Sequence, residues 1–189
     1  MKRNALLPMT TTAMLLAVGM VLPMLLGQTQ VMGQAICPLH IPVLIGGLTC
    51  GPLWGALLGE LLPIVRSWLF GMPPLVPVAI PMAFEMEAYG LLTGLLYPVL
   101  VKLLGQQKRL IAMLLALLCA MVAGRLVGGA AKAMIMGLTA KPYGFSAFVQ
   151  SYFVGTSVGA VIHLIVVPAV VTAVEKAKLS PVWNRLMGR

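Results

Sequence analysis

The stretch PMAFEMEAYGLLTGLLYP, residues 81–98, places Glu85 and Glu87 inside a run that is otherwise almost wholly apolar. The whole chain has four acidic residues and no aspartate, so half of its carboxylates lie in this one segment. A charged side chain at membrane depth is costly unless it is paired or hydrated, and such residues usually serve a function. The two carboxylates are therefore candidates for a functional site.

The composition around this stretch is that of a membrane protein. Apolar residues make up 60% of the chain and charged residues 9%, and the mean hydropathy is +1.02. These values are typical of proteins with several membrane spans. The net charge of +9 does not indicate nucleic-acid binding, because the lysines and arginines are scattered along the chain. The three cysteines lack metal-ligand spacing, so we expect them to pack in the bundle and expect no metal site.

The apolar runs predict the number of helices, since a spanning helix needs about 20 apolar residues. Polar and Pro/Gly-rich joints divide the chain into six segments, at residues 8–27, 39–50, 53–70, 77–102, 109–137 and 145–175. We therefore expect an all-α integral membrane bundle of six transmembrane helices, forming a single domain over residues 1–189. The charged start and first apolar run also fit a signal peptide, but the run is nearly a full span and no clear cleavage site follows it. We interpret it as a retained first helix.

The basic residues predict the orientation, because cytoplasmic loops are enriched in lysine and arginine. If the N-terminus is cytoplasmic, nine basic residues lie inside and only Lys141 lies in an outer loop. The inner residues are Lys2, Arg3, Lys102, Lys108, Arg109, Lys176, Lys178, Arg185 and Arg189. Both termini are therefore expected in the cytoplasm.

With this orientation, the polar residues of the spans gather in the outer half of the bundle. Arg125 and Lys132 share one helix face, because seven residues make about two helical turns. The predicted substrate-binding residues are His40, Arg66, Glu85, Glu87, Tyr89, Arg125, Lys132 and Gln150. We expect a cavity that opens to the outside. The alternative is a set of buried ion pairs that hold helices together.

Glu85 and Glu87 cannot both face this cavity from a regular helix, because two residues turn the helix by about 200°. Glu85 is favoured, since Tyr89 lies one turn away on the same side. Pro77 and Pro81 leave room for an irregular helix that would change this expectation.

Two sequence patterns bear on catalysis. GTSVG, residues 155–159, matches the G-x-S-x-G motif of serine hydrolases, but that motif needs a strand-turn-helix elbow and an acid to orient the histidine. Ser151, Gly155, Gly159 and His163 instead recur every four residues, which predicts a packing stripe on one helix with His163 hydrogen-bonded across helices. The chain also lacks the G-x-x-x-x-G-K-[ST] motif of P-loop ATPases. We therefore expect no enzyme and no catalytic residue.

The stretch CPLHIPVLIGGLTCGPLWGALLGELLPIVRSWLFGMPPLVPVAIPMAFEMEAYGLLTGLLYP, residues 37–98, resembles the substrate-binding S components of energy-coupling factor (ECF) transporters, which import vitamins and other micronutrients into bacteria. The likeness covers most of the chain. It is greatest to the broad subgroup that contains pantothenate, cobalamin and queuosine-precursor candidates. In this family an Ala-x-x-x-Ala motif on the first helix docks on the transmembrane coupling subunit, and Ala13 and Ala17 stand at that place.

The resemblance implies a multi-pass protein of the bacterial plasma membrane that binds a small molecule near the outer surface and has no covalently bound cofactor. It also implies that the protein topples in the bilayer when joined to a coupling subunit and two cytoplasmic ATPases, so that ATP acts only through partners. Two alternatives stay open. One is a self-contained channel or proton-coupled carrier with a path through His163, Glu60 and Arg125, and the other is a membrane scaffold whose buried charges are structural.

Overall fold

A computed structural model describes residues 3–26, 33, 35–138 and 143–188, and in these residues the chain is helical with no strand. The helices are α1 Arg3–Leu26, α2 His40–Cys50, α3 Pro52–Phe70, α4 Ile80–Leu104, α5 Arg109–Leu138, α6 Phe145–Val149, α7 Ser157–Lys176 and α8 Pro181–Leu186. The predicted all-α membrane bundle is confirmed. Lys141, the one basic residue assigned to an outer loop, lies outside the described residues, as do Lys2 and Arg189.

Five helical stretches in the described part of the chain are long and apolar enough to cross a membrane. They are Leu6–Leu25, Pro52–Phe70, Leu75–Leu104, Gln106–Leu138 and Phe145–Lys176. The remaining predicted span, α2, has only 11 residues, and all of them are buried. Its length of about 16 Å is roughly half the thickness of a bilayer's hydrocarbon core. Helices α1, α3, α4 and α7 surround it, so it is the central element of the bundle rather than a lipid-facing span.

Glycines allow α2, α3 and α4 to pack with their backbones in contact. A Cβ atom at Gly55 of α3 would lie 2.6 Å from the Cα of Gly47 and 2.7 Å from the carbonyl oxygen of Gly90. Any larger side chain at Gly55 would therefore push α2 or α4 away. Small residues permit such close packing between membrane helices. The packing fixes the relative positions of α2, α3 and α4, which carry five of the predicted binding residues.

The fourth predicted segment begins as a wide turn instead of a helix. Val76 (φ −118°, ψ 130°) and Pro77 (φ −102°, ψ 25°) leave the helical region, and regular α4 starts at Ile80. The reason lies in Pro77, which has no N–H to donate and disfavours helical backbone at the residue before it. The expected irregularity is thus confined to the residues before α4, and Glu85 lies on a regular helix.

The last predicted segment, residues 145–175, is not one helix. After α6, Gln150–Val154 form a π-helical turn that ends with a 2.8 Å hydrogen bond from the Gly155 N–H to the Gln150 carbonyl. Thr156 follows with φ −112° and ψ 10°, and only then does α7 begin. The prediction of a small-residue stripe on one continuous helix is therefore wrong. Beside this break Tyr152 is buried, Thr156 is half-buried and Gln150 is exposed.

The opposite end of the bundle is closed by α8, which packs against α2. The Ser180 hydroxyl donates a 3.2 Å hydrogen bond to the Thr49 carbonyl, and it accepts one from the Trp183 N–H, which caps α8. Basic residues collect at this end, where α4 and α7 end and α5 begins. They are Lys102, Lys108, Arg109, Lys176, Lys178 and Arg185.

Candidate functional site

A cavity of about 680 Å³ lies at the N-terminal end of α2, opposite the basic end of the bundle. It is bounded by Pro23 near the end of α1, by the prolines that follow α3, by the start of α4 and by the break before α7. The short α2 creates this space, because it begins at His40 while its neighbours continue beyond it. A volume of this size suits a vitamin-sized molecule.

Seven of the eight predicted binding residues line this cavity: His40, Arg66, Glu85, Tyr89, Arg125, Lys132 and Gln150. They come from α2, α3, α4, α5 and the turn before α7. Glu87 does not line the cavity and lies half-buried on another face of α4. The structure thus separates the two carboxylates as the helical rotation indicates, with Glu85 on the cavity side. Their role in binding stays a prediction.

Glu85 is buried and already engaged by protein groups. The Tyr89 hydroxyl, one turn along α4, donates a 2.6 Å hydrogen bond to Glu85 Oε1. The Nε2 atom of His40 lies 3.8 Å from the same oxygen. On the other side, Gly128 of α5 lets the backbone come so close that a Cβ there would lie 2.7 Å from the Glu85 Cβ. Three helices therefore hold this carboxylate in place.

Two histidines meet at one carbonyl beside Glu85. His40 Nδ1 and His163 Nε2 each lie 3.2 Å from the Cys37 carbonyl oxygen, and the two rings are stacked with centroids 5.8 Å apart. Since a carbonyl oxygen only accepts, both of these ring nitrogens carry hydrogens. His163 is hydrogen-bonded, as expected, but its partner is the Cys37 carbonyl in the turn before α2 and not a group on another helix. His163 also lines the cavity, which the sequence did not indicate.

The cations of the cavity have aromatic and carbonyl neighbours. Lys132 Nζ lies 5.4 Å from the ring centre of Tyr143 and 5.7 Å from that of Tyr152. The Arg125 guanidinium lies 5.5 Å from the Phe153 ring centre, and its Nη2 lies 3.5 Å from the Thr156 carbonyl oxygen. These cation–π contacts orient the side chains without neutralising their charge.

Arg66 has a different set of contacts. Its guanidinium donates a hydrogen bond to the Met20 carbonyl of α1 and lies 5.2 Å from the ring centre of Phe70. The side chain is buried at the cavity wall. Arg66 therefore joins α1 to α3 as well as contributing charge to the cavity.

Several polar residues of the cavity were not among the predicted site residues. They are Cys37, Ser151, Tyr152, Thr156 and His163. All of them except Cys37 lie in or after the break before α7. This break was not obvious from the sequence, because small residues recur every four positions across it, as they would on a continuous helix. Gly155 followed by Thr156, both poor helix formers, was the available signal of that break.

Two further predictions concern residues outside the cavity. Ala13 and Ala17, the candidate docking residues, are both exposed on α1. Glu60, which the carrier hypothesis placed on a path with His163 and Arg125, is exposed on α3 and does not line the cavity. The other two residues of that path do line it.

The sequence matches the family described as ECF transporter, substrate-specific component, over residues 8–179. The chain belongs to this family. The resemblance seen in residues 37–98 is thereby confirmed, and the match extends from α1 to the third residue after α7. Neither a curated protein nor a solved structure matches the chain. As a substrate-specific ECF component it is a transporter subunit and a multi-pass membrane protein, and the cavity is its candidate substrate site.

Proposed function

We propose that this ECF component captures a vitamin or related micronutrient in the cavity at the outer face of a bacterial plasma membrane. The observation that carries the proposal is the placement of seven predicted polar residues in one cavity, in a chain of this family. Polar side chains at membrane depth are costly, so their convergence on a vitamin-sized space favours ligand binding over a purely structural role.

The outer location is supported by charge. Apart from the three that line the cavity, six basic residues collect at the opposite end of the bundle, and that end is cytoplasmic by the positive-inside rule. The cavity then opens towards the outside, where a scarce nutrient has to be caught.

Delivery inward rests on partners in this proposal. A transmembrane coupling subunit docks on α1 at Ala13 and Ala17, whose small exposed side chains permit close helix contact. Two cytoplasmic ATPases attached to the coupling subunit supply the energy. The chain itself serves as the substrate-binding part.

The experiment that tests the proposal is native mass spectrometry of the purified protein from a vitamin-rich expression host. We expect a bound small molecule in the wild type that Glu85→Gln loses, with Glu87→Gln as the matched control that keeps it. A folded wild-type protein that carries no molecule, and that no compound in a panel of vitamins stabilises, contradicts the proposed function.

A further inference from the structure

The charges that line the cavity do not balance. Three cations, Arg66, Arg125 and Lys132, face one carboxylate, Glu85. Within the described residues, the ion pairs closer than 4.0 Å are His40–Glu85 and Arg109–Glu175, and neither involves a cation of the cavity. The cavity therefore has an excess of positive charge that the protein's own carboxylates leave uncompensated.

Glu85 attracts Lys132 but, in the described part of the chain, forms no ion pair with any of the three cations, so it supplies only part of the missing negative charge. Its Oε1 accepts the short hydrogen bond of Tyr89 and faces His40. Glu87 and Glu60 lie outside the cavity lining. A counter-ion for the cations thus has to come from elsewhere.

The cation whose donors are least engaged is Lys132. An ammonium group has three hydrogen-bond donors, and within the described residues Lys132 contacts the faces of two tyrosine rings and is attracted by Glu85 without forming an ion pair with it. Arg125 stands two turns earlier on the same face of α5, makes a long hydrogen bond to the Thr156 carbonyl and also interacts with the Tyr89 hydroxyl. Arg66 differs, because its guanidinium is bonded to α1.

From this geometry we propose that the ligand is a small organic anion whose carboxylate or phosphate group is bound by Lys132 and Arg125. The inference rests on the proposed function and deepens it by naming the substrate class. An oxyanion between these side chains would accept charge-assisted hydrogen bonds in a region of low dielectric constant, where such bonds are strongest. Tyr152, buried beside Lys132, offers a ring face to the part of the ligand next to the anionic group.

The test has two parts. First, the molecule that co-purifies with the wild type is identified by mass spectrometry and examined for an acidic group. Second, thermal stabilisation of ligand-free protein is measured with matched probes, namely vitamin-sized carboxylic acids with their primary amides and organic phosphate monoesters with their parent alcohols. We expect the acid or the phosphate ester to stabilise the protein and its neutral counterpart to bind at least about tenfold more weakly.

Variants locate the anionic group. Lys132→Gln and Arg125→Gln should each weaken binding of the acidic probe by at least about tenfold, and Lys132→Arg should recover part of that loss because it restores the charge. Lys102→Gln, which removes an exposed cation at the opposite end of the bundle, is the control and should bind as the wild type does.

The outcomes separate this inference from the proposed function. A bound molecule without any acidic group, retained by Lys132→Gln, would overturn the inference and leave the proposed function in place. An acidic probe that binds equally well to all four variants would overturn the assignment to Lys132 and Arg125. Absence of any bound molecule in the folded protein, together with no response to acids, amides, esters or alcohols, would contradict both.

Discussion

The hydroxyl of Tyr97 donates a 2.5 Å hydrogen bond to the carboxylate of Glu175, 78 positions further along the chain. Both side chains are fully or almost fully buried, and Arg109 lies 3.4 Å from the other carboxylate oxygen. Tyr97 is on α4, Arg109 begins α5 and Glu175 is near the end of α7. This cluster therefore joins three helices at the end of the bundle opposite the cavity.

Removal of the Tyr97 hydroxyl should lower stability without affecting the cavity. Tyr97→Phe deprives a buried carboxylate of a hydrogen-bond donor, and such a loss costs about 1–3 kcal/mol. We expect a lower midpoint of thermal unfolding in detergent and an unchanged dissociation constant for the co-purified ligand. A variant as stable as the wild type would show that water or Arg109 compensates for the missing hydroxyl.

The two carboxylates of the fourth segment should differ in their effect on binding. Glu85→Gln weakens the acceptor that positions Tyr89 and His40 at the cavity wall, and we expect the displacement of these two side chains to lower ligand affinity by about tenfold or more. Glu87→Gln changes a carboxylate that does not line the cavity and should alter affinity by less than about twofold. Isothermal titration calorimetry of both variants measures the difference. Equal losses of affinity would place Glu87 in the site after all.

Gly128 should be intolerant of any side chain. Its ideal Cβ would lie 2.7 Å from the Glu85 Cβ and 3.1 Å from a ring carbon of Tyr152, so Gly128→Ala has to displace one of these groups. We expect weaker ligand binding. Gly137→Ala, on the same helix and with no atom of the described residues within 4 Å of the added Cβ, is the control and should bind normally. The hypothesis that Glu85 must keep its position fails if both variants bind alike.

The docking hypothesis for α1 makes a separate prediction. Ala13→Leu or Ala17→Leu enlarges an exposed small side chain without reaching the cavity, so ligand binding should persist while the coupling subunit no longer co-purifies. Ala130→Leu makes the same change on an exposed face of α5 and should leave the complex intact. Normal co-purification of both α1 variants would refute this docking surface.

Helical periodicity was sufficient for the parts of the site that lie on regular helices. Arg125 and Lys132 line the cavity together because seven residues bring α5 back to the same face. Glu85 and Glu87 separate for the same reason. The positions of these residues follow from local geometry, so the sequence could predict them.

The parts of the site that the sequence did not predict depend on breaks in the regular helices and on contacts between helices. His163 and Tyr152 reach the cavity because the chain breaks at Gly155 and Thr156. The orientation of these two side chains depends on their contacts with other helices, namely His163 with His40 of α2 and Tyr152 with Gly128 of α5. The central position of α2 was also hidden, because an 11-residue apolar run looks the same whether it spans a thin part of the bilayer or lies inside a bundle. Non-local contacts decide both questions.

The enclosed position of α2 determines whether a solute can pass along the axis of the bundle. Below the cavity the bundle axis is filled by side chains such as Leu44 and Leu48, which have no exposed surface. These side chains close the inner end of the cavity, so a bound solute cannot move further along the bundle axis. Release of the solute on the opposite side would then require either a repacking of these side chains or a reorientation of the whole protein in the bilayer.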